Sequence, residues 1–292
     1  MKLLVIQSDH GSDYLADLLL SELIHWGSHE ITTNHLPQYL FDDYPDQHKI
    51  YGRGYTVFGK LPSNKKENII VLPEEDLLKK LVGKYFDKII YTSIWRKNIL
   101  YQNVLQNYEK DKIIVIDGED HTDVLNIAWN VLYFKRELIA PFSEICLPIS
   151  FTFPSYHQPK MIDMEKKYFL APCIPSVKKS YVFNTENHYY QQYAESYFGL
   201  TTKKGGWDCM RHYEIIRMGC IPYFPDIVDK PTLTMPNYPT LLQYKANKLF
   251  EICIQNPALI ENERNADLIN LKLEFSNWLN QYGTSHIYQS LI

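Results

Sequence analysis

Short apolar runs alternate with longer amphipathic ones along this chain, and the alternation predicts its elements. KLLVIQ, residues 2–7, is a continuous apolar run of the kind that forms a strand buried on both faces. SDHGSDYLADLLLSELIHWG, residues 8–27, reads as a polar loop feeding an amphipathic helix that ends at Gly27. Further strands are predicted at YTVFGKLP (55–62), NIIVLP (68–73), YFDKIIYTSI (85–94) and DKIIVIDGED (111–120), with helical patterns over 95–110 and 122–138. Buried strands alternating with helices imply a mostly parallel sheet covered on both faces, whose ligands bind beyond the carboxyl ends of the strands. Those ends carry SDHGSD (8–13), SIWR (93–96) and DGEDH (117–121).

The helical and strand periods lapse in the proline-rich polar stretch between about 147 and 166 and then resume. Beyond it come a strand in KKYFLAPCI (166–174), a helix over 185–198, a helix over 209–218, the strand CIPYF (220–224), and helical stretches over 240–255 and 258–281. A chain of 292 residues is also longer than one core comfortably fills. The expectation is a protein of two α/β domains, 1–150 and 151–292.

Composition narrows the chemistry. A formal net charge of −4 lacks the broad basic surface that binding to nucleic-acid phosphates needs, so no nucleic-acid partner is expected. Five scattered cysteines without a C-x-x-C pair suggest neither a disulfide framework nor a zinc site. The first residues are too briefly apolar for a signal-peptide core, and no apolar run approaches the ~20 residues of a membrane span. A cytoplasmic protein without a transmembrane segment is the expectation.

The chemistry concentrates in GGWDCMRHYEIIRMGCIPYFPDI, residues 205–227. Gly205 and Gly206 precede a helix where chain close to a ligand must lack side chains, and a helix N-terminus presents unpaired N–H groups that favour an anion. Lys203, Lys204 and Arg211 add positive charge at that end, and Glu214, one turn on, offers two acceptor oxygens suited to paired hydroxyls. The same letters fit a surface salt-bridge ladder, since Arg211, Glu214 and Arg217 are spaced i, i+3. Asp208 reads as the N-cap of the helix.

The string R-x-Y-E-I-I-R-M-G-C-I-P-Y-F after a glycine turn resembles the donor-binding segment of GT-B glycosyltransferases. It is most similar to the exostosin-like and fucosyltransferase-like groups, with their R-x-x-E-A-L-x-x-G-C-I-P-V pattern. Ile215-Ile216 and Tyr223-Phe224 depart from that pattern. The resemblance implies a nucleotide-sugar donor and a glycan or glycolipid acceptor, with no metal or other cofactor. It implies two Rossmann-like domains facing a cleft, with C-terminal helices near 270–292 that can cross back, and it puts Arg211 on the donor diphosphate, Gly205 and Gly206 beneath it and Glu214 on the ribose; Lys204, by its charge, and Tyr213, beside the Glu, complete the donor-binding candidates. The chain has no D-x-D motif of the metal-dependent type.

An inverting transfer needs a base at a strand end of the first domain. Asp13 is the first candidate and Ser12 or Asp13 is equally an N-cap; His10 and Glu119 follow, with Asp9, Asp120 and His121 as rivals. Arg53 and Tyr55, in YGRGYTVFGKLP, are the candidate acceptor-binding residues, and Lys135 and Arg136 either complement a helix dipole or reach the cleft. Two other functions stay open: a non-catalytic nucleotide- or carbohydrate-binding protein of the same fold, and a Rossmann oxidoreductase. The oxidoreductase lacks the G-x-G-x-x-G expected after the first strand.

Overall fold

Seven parallel strands form the first sheet of the computed structural model, which describes residues 1–45, 56–157, 164–261 and 265–283. In chain order they are β1 (Lys2–Ile6), β2 (Glu30–Thr33), β3 (Ile69–Val71), β4 (Lys88–Tyr91), β5 (Ile113–Asp117), β6 (Leu132–Lys135) and β7 (Leu147–Pro148). Their order across the sheet is β3-β2-β1-β4-β5-β6-β7. The chain works outward from β1 to β3, then returns to the other flank of β1 at β4, so the switch point lies between β1 and β4.

Side-chain alternation along β1 explains why both faces are covered. Leu3 and Val5 share an apolar cluster with Leu15, Leu18 and Leu19 of α1 (Tyr14–Trp26). Leu4 and Ile6 point the other way, to Leu77 and Leu81 of α2 (Glu74–Val82) and Val104 of α3 (Tyr101–Asn107). Each such fully buried side chain contributes about 1.5–3 kcal/mol relative to exposure.

The second sheet is smaller, three parallel strands in the order β10-β9-β8: β8 (Tyr168–Leu170), β9 (Ser196–Leu200) and β10 (Ile221–Tyr223). Helix α4 (Glu186–Ala194) connects β8 to β9, and α5 (Met210–Arg217) connects β9 to β10. A Cβ at Gly199 of β9 would stand 3.0 Å from Ile215 Cγ1, so the bare backbone lets α5 lie close on its strand. The chain closes with α6 (Thr240–Gln255), α7 (Ala258–Glu261) and α8 (Ala266–Tyr282). Together the two parallel sheets make the α/β, doubly Rossmann-like architecture.

The largest apolar cluster draws on both sheets, running from Leu3 and Leu15 through Phe151 and Phe153 to Trp207, Met210 and Phe224. Polar ties add to it: Lys60 pairs with Glu186 of α4, whose other oxygen lies 2.9 Å from His157 Nε2. Helix α8 packs on α5, α6 and β10, and the chain just past it reaches the connecting segment, where Phe153 N donates to Gly283 O at 2.6 Å. The main contacts of α8 are thus with the second sheet, and residues 284–292, the rest of the stretch expected to cross back, lie outside the described residues.

Several local expectations are corrected. The helix expected over 122–138 is a 3-10 turn at Asn126–Asn130 followed by β6. Tyr133 and Lys135 are buried in alternation with half-buried Leu132 and Phe134, a period of two that the dense apolar spacing obscures. Lys135 and Arg136 therefore stand at a strand end, and Lys135 pairs with Asp117 across the β5–β6 register at 3.0 Å. Residues 56–59 of the strand expected over 55–62 form a turn, and Leu61 makes one isolated bridge to Phe41. β2 was not expected, and β9 lies beyond α4 where a helix was expected to run to 198.

Candidate functional site

A cavity of about 270 Å³ opens between the two sheet units. Tyr14 and Asp120 line it from the first and Phe151 from the connecting segment; Tyr181, Tyr189, Lys204 to Gly206, Asp208 to Arg211 and Glu214 line it from the second. The anchoring of that segment begins at the end of β6. Glu137, fully buried, accepts from Trp207 N at 3.0 Å and Asp208 N at 3.2 Å, and Arg136 lies 3.0 Å from the Glu137 carboxylate. Arg136 also donates to Gly118 O at 3.0 Å and to the Asp208 carbonyl, and pairs with Asp120. A Cβ on Gly206 would stand 2.8 Å from Arg136 Nη1 and closer still to Glu137 Oε1, so no other residue passes this point undisturbed.

Arg211 comes off the first turn of α5 onto the cavity wall with 7 % of its surface exposed. Its Nη2 donates to Tyr181 Oη at 2.7 Å, while Nε and Nη1 are buried with no hydrogen-bond partner. Among the described residues no carboxylate lies within ion-pair distance of this guanidinium. Burying a charge without a counter-charge costs several kcal/mol, so such groups are normally completed by a ligand or neighbour. Lys204, exposed on the same wall, holds its Nζ 5.6 Å from the Tyr181 ring centre. Cys209 is the N-cap of α5 and provides no side-chain cap, which leaves the first-turn amides of the helix without that acceptor.

Glu214 is buried one turn on, its two oxygens accepting from Thr56 Oγ1 and, at 2.6 Å, from Tyr189 Oη. Burial pushes its carboxyl above the ordinary range, partly offset by those two hydroxyls. The surface-ladder reading fails: Arg211 and Glu214 are buried, they form no ion pair, and Arg217 reaches Asn280 Oδ1 at 3.2 Å. Asp208 is not the helix cap either. Its carboxylate turns back to accept from Phe151 N at 2.5 Å and Tyr213 Oη at 3.1 Å.

Of the residues expected to hold a donor, Lys204, Gly205, Gly206, Arg211 and Glu214 line the cavity. Tyr213 does not: it points to the other side of α5, its ring centre 5.9 Å from that of Trp278. Two of the catalytic candidates, Asp13 and Glu119, gather elsewhere, around Arg96. Asp13 caps α1, accepting from Leu15 N and Ala16 N at 3.2 Å each and from Ser93 Oγ at 3.1 Å. Glu119 accepts from Arg96 Nε at 2.6 Å, and His10 is exposed with its Nε2 3.5 Å from Asp9. None of the three lines the cavity, whereas Asp120, from the same loop as Glu119, does. Arg53 and Tyr55 lie outside the described residues. Glu137 and Thr56 were missed; nothing local in KREL or YTVF marks them, because their partners lie 70 and 158 residues away.

No family model matches the chain, and no curated protein matches it in sequence. Among solved structures, the fold is similar to the crystal structure of MurG from Acinetobacter baumannii, with a TM-score of 0.47 and 9 % identity over 99 % of this chain and 98 % of that one. No helix among the described residues is long and apolar enough to cross a membrane.

Proposed function

We propose that the chain is a glycosyltransferase that takes a sugar from a nucleoside-diphosphate sugar and passes it to a hydroxyl of a glycan or glycolipid. One observation carries this reading: buried Arg211, with two unpaired nitrogens, on the wall of a cavity between two parallel-sheet units. A diphosphate is the complement of that wall. It would satisfy Nε and Nη1 of Arg211, lie near the uncapped first turn of α5, and draw Lys204 inward. These positive groups stabilise the charge that builds on the leaving diphosphate as the bond to the sugar breaks.

Glu214 takes the ribose. Each of its oxygens already accepts one hydroxyl and has a lone pair left for a second. The exostosin-like and fucosyltransferase-like resemblance of residues 211–224 supports this pairing of roles. Asp120 lines the cavity beside the Gly205 turn, one oxygen paired with Arg136 and the other against Gly205, and is the proposed base of an inverting transfer. The aromatic walls Tyr14 and Phe151 give the cavity apolar faces against which a sugar ring packs.

Calorimetric titration with UDP, GDP, CMP and their sugar conjugates, beside NAD(P), tests the reading. One nucleoside diphosphate family binds the wild type, and binding weakens in Glu214→Gln more for the ribonucleotide than for its 2′-deoxy analogue. Binding of NAD(P) alone would turn the assignment to an oxidoreductase. Tight nucleotide-sugar binding without transfer or hydrolysis would leave a non-catalytic binding protein. With transfer established, Asp120→Asn should lose turnover while keeping donor affinity.

A further inference from the structure

Cys209 sets this cavity apart from the rest of the molecule. The other four cysteines, Cys146, Cys173, Cys220 and Cys253, are buried in apolar clusters at no more than 3 % exposure. Burial pushes the Cys146 thiol up to about 11 and the Cys220 thiol up to about 12. Cys209 is half-buried, lines the cavity wall and sits at the N-terminus of α5.

Its sulfur lies 4.0 Å from Nδ1 of His212, and the geometry around that ring fixes what Nδ1 can do. His212 is fully buried, with Nε2 2.8 Å from the Trp207 carbonyl, an acceptor only. Nε2 therefore carries a hydrogen, and in the neutral ring Nδ1 presents its lone pair towards Cys209 and Thr201. Thr201 Oγ1, 2.8 Å from Nδ1, both donates and accepts and so suits either protonation state of the ring. A thiol, a base within reach and a carbonyl that orients the base repeat the arrangement that activates nucleophilic sulfur. Beside them, Nε and Nη1 of Arg211 are buried on the same wall with no partner, which calls for an anionic group.

We propose that Cys209 is a site of covalent modification by thiol–disulfide exchange with small disulfides that carry carboxylates, Arg211 binding the carboxylate. The Cys209 proton passes to His212 Nδ1. The thiolate attacks the nearer sulfur of the disulfide, a new S–S bond forms, the old one breaks, and the other half leaves as a thiolate that takes up the proton. One disulfide is consumed and one formed, so no further oxidant is needed. The attached group fills the cavity, and the consequence that it excludes a nucleotide rests on the donor-site reading.

Several titratable groups bear on the thiol: His212 and Arg211 of α5, Asp208 in the turn before it and, as a neutral phenol, Tyr238 in the segment before α6. Burial acts to raise it, and the positive charges of His212 and Arg211 outweigh burial and Asp208, bringing it down to about 7. The rate of exchange should accordingly rise through neutral pH and level off about one unit above it.

The test is release of coloured thiolate from dithiobis(nitrobenzoate), an anionic disulfide, and from neutral dithiodipyridine, with intact-mass analysis of the product. Native protein should release one equivalent in a fast phase, and denatured protein should release all five. The fast equivalent should vanish in Cys209→Ser. Relative to a free thiol, the anionic reagent should be favoured about tenfold, and Arg211→Met should remove that preference. A fast equivalent that persists in Cys209→Ser, a native protein as unreactive as its four buried thiols, or equal rates with the two reagents would overturn the proposal. Fast exchange at Cys209 that nucleoside diphosphates do not slow would uphold it and count against the donor-site reading instead.

Discussion

Replacing Arg211 with methionine should make the empty protein more stable and the ligand-bound protein less so. The wild-type guanidinium is 7 % exposed and holds one hydrogen bond, to Tyr181, with two nitrogens unsatisfied. Removing a buried, incompletely paired charge in favour of an apolar side chain of similar length gains about 1–4 kcal/mol. Losing the Tyr181 bond gives back about 1 kcal/mol, since half-buried Tyr181 can turn its hydroxyl to water. A net gain of about 0–3 kcal/mol remains, and in a chain of this size each kcal/mol raises the midpoint of thermal unfolding by about 2–4 °C. The same substitution removes at least one charge-assisted bond to a diphosphate, worth about 1.5–3 kcal/mol, and so weakens affinity about 10- to 150-fold. Urea unfolding of both proteins, with calorimetry on each, measures the two effects together. A variant destabilised by more than about 1 kcal/mol with unchanged nucleotide affinity would refute the reasoning, because Arg211 would then be a structural residue.

Three further outcomes follow from the same geometry. Gly206→Ala should cost about 1–3 kcal/mol in urea unfolding and weaken nucleotide binding, because its Cβ meets the buried Glu137 and Arg136 side chains. Gly205→Ala, whose Cβ meets the exposed side chain of Asp120 first, should cost less than about 1 kcal/mol. The third concerns Asp17, buried with both oxygens accepting from Tyr39 Oη at 3.1 and 3.2 Å. Burial, and then the neighbouring Asp13, hold its carboxyl well above the ordinary range. The folded state keeps a proton that the unfolded chain releases near pH ~4, so this contribution is full below that pH and is lost as pH rises through the folded-state value. Urea midpoints measured from about pH 4 to about pH 8 should decline less in Asp17→Asn than in the wild type; equal slopes would contradict the assignment.

Local signals carried the first sheet well where strands are continuous apolar runs. KLLVIQ and DKIIVIDGED became β1 and β5, and the helix expected to end at Gly27 ends there, that glycine taking a φ of 63° as its C-cap. β6 escaped because LYFK combines strand alternation with flanking apolar residues at helical spacing, and its fate depends on Asp117 opposite Lys135. Tertiary pairing decided that segment, not its own period. The helix around Arg211 was legible, from glycines before it to Gly-Cys-Ile-Pro after it, and so was its mixture of apolar and charged residues.

What sequence could not show was which partners the charges would find. Asp13 reads equally as base or cap, and only the positions of Leu15 N, Ala16 N and Ser93 Oγ show its oxygens engaged. Glu137 holds the glycine turn through amides 70 and 71 residues later, and Thr56 meets Glu214 across 158 residues. Such contacts leave no periodic or spacing signature, because they are made by folding two distant segments onto one wall. Unpaired nitrogens on a buried arginine are likewise a property of packing, invisible in the letters around it.

The most direct test of the central claim is a crystal structure of the protein soaked with the nucleoside diphosphate that binds tightest in solution. The account predicts the diphosphate in the cavity between the two sheets, with phosphate oxygens in hydrogen-bonding distance of Arg211 Nε and Nη1 and the ribose at Glu214. A nucleotide bound elsewhere, or one lying in the cavity with those two nitrogens still unpaired, would contradict it.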